Sequence, residues 1–352
     1  MTTPFELRAG LFSDAAARIR AALPERRLAI ISDSNVGPLY GAALAASLDA
    51  PLLTIAAGEA SKTRDEWARL TDALLAAGFG RDSAIVAVGG GVVGDLAGFV
   101  AATYLRGIPV VQVPTSLIAM IDSAIGGKTG VDTPHGKNLV GAFHAPSLIL
   151  VDPDLLRTLP LAHRRAGLAE AIKHGVIADE GYFHWLASHG AALLTLDGAA
   201  ATRLVEQSIA IKQAIVASDP FEHGRRRILN FGHTIGHALE HESGYRLLHG
   251  EAVALGMLAE ARLAERTDHA LPGLADEVYA LLASVGVPTR LPMRLDAAAV
   301  VQRTYGDKKA HGGVVHYALA QSVGVMAGET QGWRVAVQDG DALAAVESIA
   351  AA

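Results

Sequence analysis

The stretch from Asp122 to Phe143, D-S-A-I-G-G-K-T-G-V-D-T-P-H-G-K-N-L-V-G-A-F, carries two Gly-Lys pairs, Gly127-Lys128 and Gly136-Lys137, with Asn138 beside the second. Glycine lets backbone N–H groups approach a ligand, and lysine adds a mobile positive charge. In a chain of net charge -6, that combination between two apolar runs points to a small anion held in one loop. A second candidate is A-I-V-A-V-G-G-G-V-V-G-D-L-A-G at 84–98, an apolar strand running into three glycines and a helix start. A phosphate can sit against N–H groups at such a helix N-terminus. G-x-G-x-x-G is absent, so a tight strand–helix turn without a ligand is the other reading. Asp95 and the polar strand ends D-S-N (33–35) and G-E-A-S-K (58–62) would share the carboxyl edge of the same sheet, where ligands bind.

The third group is N-F-G-H-T-I-G-H-A-L-E, in which His233 and His237 share one helical face at i,i+4. They could bind a metal or be core or surface histidines. His249 follows in L-H-G-E-A, and Glu170 sits in the largely apolar G-L-A-E-A-I-K-H, where an unpaired carboxylate is costly. One Glu with two His suits a catalytic divalent cation that keeps positions open for substrate. The absence of H-E-x-x-H argues against a zincin protease. Cations are spread over Arg106, Lys128, Lys137, Lys173, Lys212, Arg225–Arg227 and Lys308-Lys309. Each alone reads as a solvated charge. Lys128 and Lys173 lie in Gly-rich or apolar surroundings, where burial without an anion is expensive. That favours a substrate with a phosphate, a carboxylate, or both.

Elements must hold these groups in place. Short apolar runs at Leu28–Ile31, Leu52–Ala56, Ala84–Val88, Val110–Val113 and Leu148–Val151 read as strands. Between the second and third, Trp67, Leu70, Leu74 and Leu75 have helical spacing, with Ser61 as cap and Gly78 as stop. This alternation predicts a parallel sheet covered by helices. From about Leu155 helical periodicity takes over, at Ala162–Ile177, Gly198–Ser218, Gly232–Glu242, Gly250–Arg266 and Leu274–Ser284, with a hairpin-like patch near Val314–Met326. The expectation is an α/β, Rossmann-like domain over 1–155 and a mostly helical domain over 156–352, with the cleft between them as the natural place for a site. The length, 352 residues, agrees with two domains.

Composition narrows the class. Apolar residues make up 51% and charged ones 19%, as in a globular protein. No basic run or aromatic–basic interleaving suggests nucleic acid. There is no cysteine, which excludes thiolate chemistry and Cys-based metal sites and suits a reducing cytoplasm. The N-terminus lacks the features of a signal peptide, and no uncharged apolar stretch is long enough for a membrane helix.

Taken together, these segments resemble the 3-dehydroquinate synthase family of the sugar-phosphate cyclases over nearly the whole chain. The matching motifs are G-E-A-S-K (58–62), G-G-G-V-V-G-D-L-A-G (89–98), Y-L-R-G (104–107), V-P-T-S (113–116), the 122–143 stretch, T-L-P (158–160), G-L-A-E-A-I-K (167–173), L-N-F-G-H-T-I-G-H-A-L-E (229–240), L-H-G-E-A-V-A-L-G-M (248–257) and D-K-K (307–309). The resemblance implies a recycled NAD, a divalent metal (zinc or cobalt), and a seven-carbon sugar acid phosphate that is oxidised, loses phosphate by β-elimination, is re-reduced and closes by an aldol step, as part of the shikimate pathway. It implies metal ligands Glu170, His233 and His249. It implies an NAD site of Asp33, Asn35, Glu59, Lys62, Gly90, Gly91, Asp95, Thr115, Ser116, Asp122, Lys137, Thr158 and Leu159. Substrate contacts would come from Lys128, Asn138, Lys173, Lys212, Arg226, Asn230, His237 and Lys308 or Lys309. Arg106 would reach the substrate of a neighbouring subunit, which implies a homodimer. His237 would then orient phosphate or relay a proton rather than bind metal. Three departures stand out: Ser116 replaces a second threonine, Asp132 replaces an asparagine, and S-D-P-F-E-H-G (218–224) replaces a more acidic stretch. The alternatives are another cyclase of the same superfamily, including one acting on an amino analogue, an iron- or zinc-type polyol dehydrogenase, and a nucleotide sensor without catalysis.

Overall fold

The computed structural model describes residues 4–195, 198–305, 310–311 and 314–350. The chain divides into two compact units, Met1–Leu159 and Pro160–Ala352.

The first unit contains strands β1 (Phe5–Leu7), β2 (Arg27–Asp33), β3 (Leu52–Ile55), β4 (Ser83–Gly89), β5 (Val110–Pro114), β6 (Lys128–Thr133), β7 (Gly136–Phe143) and β8 (Leu148–Val151). Its helices are α1 (Ala15–Ala22), α2 (Ala42–Leu48), α3 (Arg64–Ala76) and α4 (Gly91–Thr103). Six strands form one parallel sheet in the order β1-β8-β5-β4-β2-β3. Strands β2, β4, β5 and β8 are buried on both faces, which is why they read as unbroken Val/Ile/Leu runs. The chain leaves β2 for β3 on one side and returns to β4 on the other. The carboxyl ends of β2 and β4, at Asp33 and Gly89, therefore flank the point where strand order reverses, and ligands bind at such points in sheets of this kind.

The structure adds two elements to the sequence reading and moves a cap. Phe5–Leu7 pairs with β8 as an edge strand. Asp122–Phe143 is not one loop: Asp122 lies in a short π-helical turn, Ala119–Ser123, and Lys128 onward forms the antiparallel hairpin β6–β7. α4 packs on both the sheet and this hairpin, and a Cβ on Gly98 would come 2.5 Å from Thr129 Cγ2. α3 is capped by Thr63, whose Oγ1 accepts from Glu66 N at 3.1 Å, while Ser61 belongs to a preceding 3-10 turn.

The second unit holds α5 (Leu161–Ala178), α6 (Glu180–Thr195), α7 (Gly198–Ser218), α8 (His233–Glu242), α9 (His249–Arg266), α10 (Leu274–Ser284), α11 (Ala297–Thr304) and α12 (Asp339–Glu347). Short strands β9 (Ala310–His311), β10 (Val314–Tyr317), β11 (Ala320–Ser322), β12 (Val325–Met326) and β13 (Val335–Ala336) form two small antiparallel sheets. α9 is the centre of this unit, packed against α5, α8, α10 and α12. It is buried almost all round from Gly250 to Ala264, as a central helix must be.

Candidate active site

In the first unit the expected site residues gather on the carboxyl edge of the sheet. Asp33 ends β2, and its Oδ1 accepts from Asn35 N and Val36 N, both at 2.8 Å, which shapes the turn. Gly90 is the N-cap of α4 and offers no side chain, so the N–H groups of that first turn have no side-chain cap. Ser116 and Ser123 line the turn: their Oγ atoms would lie 3.4 Å and 3.1 Å from a Cβ on Gly90 and Gly91. Thr115 is buried beside them, and its N–H donates to Gly89 O at 2.9 Å. At the far end of the unit, Thr158 Oγ1 meets Tyr40 OH at 2.8 Å, with Leu159 next in the chain.

Lys62 is the pivot of this edge. It is 4% exposed. Its Nζ donates to Asp95 Oδ2 at 2.8 Å and lies 3.5 Å from Glu59 Oε1, which in turn is 4.0 Å from Lys137 Nζ. Burial opposes the charge on Lys62, but Asp95, Glu59 and Asp132 outweigh it and hold the ammonium above its ordinary value. Asp132, noted above only as a departure from the family pattern, is a member of this cluster. Its N–H donates to Lys62 O at 2.7 Å, and its Oδ1 accepts from Asn138 N at 2.8 Å. Burial pushes its carboxyl up to about 6, against the pull of Lys62. Asp132 thereby ties the hairpin that carries Lys128 and Asn138 to the end of the Lys62 segment. Asn138 has a left-handed backbone (φ 55°), and so do the successive residues Leu105 (48°) and Arg106 (69°). Bulky side chains rarely adopt that conformation, and such strain concentrates at functional positions. Lys128 and Arg106 are exposed.

In the second unit three helices bring Glu170 (α5), His233 (α8) and His249 (α9) together, with their ligand atoms all within 4.8 Å of one another. α5 and α9 can approach only because residue 250 is glycine, since a Cβ there would sit 1.9 Å from Ala166 O. Glu170 Oε1 lies 3.5 Å from His233 Nε2 and 3.3 Å from His249 Nε2. A tetrahedral ion with bonds of about 2.0–2.1 Å holds its donors about 3.3 Å apart, so this spacing fits such an ion. The other ring nitrogens agree. His233 Nδ1 faces Phe231 O at 3.1 Å and His249 Nδ1 faces Glu240 Oε2 at 3.3 Å. Both partners only accept, so each Nδ1 is the donor on that side and each Nε2 faces the shared centre, where a bound ion would take the place of any proton on it. His237 lies close by, its ring centroid 5.3 Å from that of His233, and is exposed.

The charges around this centre are sealed. Glu170 is 0% exposed and pairs with Lys173 one turn on, which is 1% exposed. Burial alone would raise the Glu170 carboxyl, but Lys173, His233 and His249 outweigh it and hold it well below the ordinary range. Burial, with Lys173, pushes His233 well below its ordinary value. Burial likewise disfavours charge on His249, but hydrogen bonds to Glu170 and Glu240 push it up to about 10. Lys212 and Arg226 are also buried. Arg226 sits in a loop organised by Asp219, which accepts N–H bonds from His223, Gly224 and Arg226, while Asn230 Nδ2 donates to Glu222 Oε1 at 2.7 Å. The altered 218–224 stretch thus still supplies two acceptors that fix Arg226 and Asn230. Lys308 and Lys309 lie outside the described residues.

The residue patterns gave no site role to Asp132, Asp219, Glu222, Glu240 or Glu260, although Asp132 and the 218–224 stretch stood out as departures from the family. The signal that marked Glu170, a carboxylate within an apolar helix, was equally present for Glu240 and Glu260, which are 2% and 0% exposed.

The doubly wound parallel sheet and the helical unit that follows it have the fold of solved sugar-phosphate cyclases. A solved 2-deoxy-scyllo-inosose synthase, complexed with carbaglucose-6-phosphate, NAD+ and Co2+, matches with a TM-score of 0.90 at 27% identity, covering 98% of this chain and 96% of that one. The 2-epi-5-epi-valiolone synthase of Streptomyces hygroscopicus subsp. jinggangensis, with NAD+ and Zn2+ bound, matches with a TM-score of 0.88 at 30% identity over 99% and 97% of the two chains. Within that class the chain belongs to the 3-dehydroquinate synthase family: residues 52–166 match the family's N-terminal model and 167–310 its C-terminal model. It is 48% identical to the 3-dehydroquinate synthase of Symbiobacterium thermophilum over 323 residues, 90% of each chain.

Proposed function

We infer that the chain converts 3-deoxy-D-arabino-heptulosonate 7-phosphate into 3-dehydroquinate and inorganic phosphate, a step of the shikimate pathway. The observation that carries this reading is the Glu170–His233–His249 centre with Lys173 paired to it, in a unit that also buries Lys212 and Arg226 and a chain of this family. This substrate carries both a carboxylate and a phosphate, anions that match a unit rich in buried cations, whereas a neutral polyol carries neither.

Glu170, His233 and His249 would hold a divalent ion, zinc or cobalt, and the carboxyl edge of the sheet would hold NAD. Together these groups supply a Lewis acid for the sugar's hydroxyls and a recycled hydride acceptor. The uncapped first turn of α4, at Gly90 and Gly91, offers N–H groups to a pyrophosphate. Asp33, Asn35, Glu59, Lys62, Asp95, Thr115, Ser116, Asp122, Lys137, Thr158 and Leu159 complete the proposed cofactor set. Lys128, Asn138, Lys173, Lys212, Arg226, Asn230 and His237 would bind and orient the acid phosphate. The cations among them would stabilise the phosphate as its C–O bond breaks, and His237 would accept or return a proton at a phosphate oxygen. Arg106, on its strained turn, would serve the site of a second copy, making the working form a homodimer. No helix among the described residues is long and apolar enough to cross a membrane; with no cysteine in the chain, the proposed compartment is the cytoplasm.

The test is phosphate release from that substrate with NAD below stoichiometric amounts, with and without chelator. Many turnovers per NAD without NADH accumulation are expected, lost on chelation and restored by Zn2+ or Co2+. Release that ignores the chelator would sink the metal assignment. Net NADH from a polyol, with no phosphate released, would favour a polyol dehydrogenase.

A further inference from the structure

Glu260 is a fully buried carboxylate to which the proposed reaction gives no role. It lies on α9, and its Oε2 accepts from Gly232 N at 2.6 Å while Oε1 accepts from Ile235 N at 3.1 Å. One is the N–H of the N-cap itself, Gly232, and the other that of Ile235 in the first turn of α8, which the glycine N-cap has no side chain to satisfy. Nor could it have one. Gly232 has φ +78°, and a Cβ there would lie 2.5 Å from Met257 Cγ and 2.9 Å from Val253 O. A Cβ on Gly256 would lie 2.0 Å from Gly232 O. The start of α8 therefore rests directly on the α9 backbone, and a cap must come from α9 itself. His233 is the first residue of α8, between the two amides that Glu260 binds.

We propose that Glu260 is a positioning residue: by serving as the missing N-cap of α8, it fixes the first turn of that helix and so aims His233 Nε2 at the centre shared with Glu170 and His249. This rests on the metal reading above. A carboxylate suits the place, because bonds from backbone N–H groups to an ionised acceptor are roughly twice as strong as neutral ones and the helix N-terminus favours negative charge.

The test is Glu260→Gln in the full chain, which keeps the size but turns one acceptor into an amide NH2 facing a backbone N–H. Three readouts are taken: Zn2+ affinity by competition with a chromophoric chelator, the d–d absorption of the Co2+-loaded protein, and the thermal midpoint of the metal-free protein. A Zn2+ affinity lower by about 10–100-fold is expected, with an altered Co2+ spectrum. Glu260→Asp, which keeps the charge but reaches only one amide, should lose less. A purely structural role would lower the metal-free midpoint and leave affinity and spectrum at wild-type values, and that result overturns the proposal. Should the glutamine variant not fold, the aspartate variant decides by the same affinity and spectrum. A wild-type chain without a Zn2+ site, or one whose site survives His249→Ala, overturns the metal reading and this proposal with it. Wild-type binding retained in Glu260→Gln overturns this proposal alone.

Discussion

The two units present their functional groups in opposite ways. In the first, apart from buried Lys62 and Thr115, they sit at the edge of a sheet and on a hairpin: Lys128 and Asn138 are exposed, and Glu59 keeps 40% of its side-chain surface. In the second, apart from exposed His237, the charged groups are largely sealed in the interior, with Glu170, Lys173 and Arg226 at 0%, 1% and 1%. An edge group can be lost with little effect on the fold. A sealed group is part of a buried charge balance, so losing it damages chemistry and stability together.

Glu170→Ala should have the largest effect. It removes one proposed ligand and leaves Lys173 buried without its carboxylate, at a cost of about 3–5 kcal/mol. The expected outcome is no bound Zn2+, no turnover and a lower denaturation midpoint, read by metal analysis and chemical unfolding. Lys128→Ala tests the other side: kcat should fall by about 10²–10³-fold, with the midpoint and NAD affinity near wild type. A large loss of NAD binding would place Lys128 in the wrong site, and a large loss of stability would break the contrast. Gly250→Ala comes next. Its Cβ would meet the backbone of Ala166 at 1.9 Å, and forced separation of α5 and α9 should cost about 1–3 kcal/mol. Gly94→Ala in the first unit meets the end of the Gln112 side chain at 2.9 Å, which can swing aside, so its thermal shift should be smaller.

The smallest effect concerns pH. Burial raises the Asp132 carboxyl to about 6 in the folded protein. Between its ordinary value, near 4, and about 6, the folded chain keeps a proton that the unfolded chain releases, so stability from this group falls as pH rises through that window. Asp132→Asn should match wild type at the acid end and be the more stable protein above pH 6, as seen in thermal midpoints across pH. A difference that grows toward acid would reverse the assignment.

The same contrast decided what could be read from the sequence. Buried strands such as Ala84–Val88 and Val110–Val113 are visible because both faces demand branched apolar residues. The hairpin β6–β7 was hidden because its fit depends on missing side chains: a Cβ on Gly141 would strike Thr129 O at 2.1 Å. Glycine, lysine and Pro134 in such a stretch resemble a loop. β1 was missed because three residues flanked by Pro4 and Arg8 give no period to detect. Glu170 stood out as a carboxylate among apolar neighbours, but Glu240 and Glu260 needed coordinates, because nothing in their spacing says which ring nitrogen or which amide they meet. Residue roles at the cofactor edge came from resemblance to a family, since glycines and single polar residues there do not specify a ligand.

The edge strand Phe5–Leu7 has a consequence for how the chain is made. It pairs with β8, and Asp152 just beyond that strand accepts the N–H groups of Gly10 and Phe12 at 3.0 Å and 2.8 Å, the first across 142 positions of sequence. Phe5–Leu7 leaves the ribosome well before β8 and therefore has no partner in the sheet until nearly the whole unit has been synthesised. The sheet must close from its middle outward, with the N-terminal segment docking last, because contacts so distant in sequence form only after loop-closure entropy has been overcome. A nascent chain stalled before Leu148 should carry Phe5–Leu7 accessible to protease, and release past Asp152 should protect it.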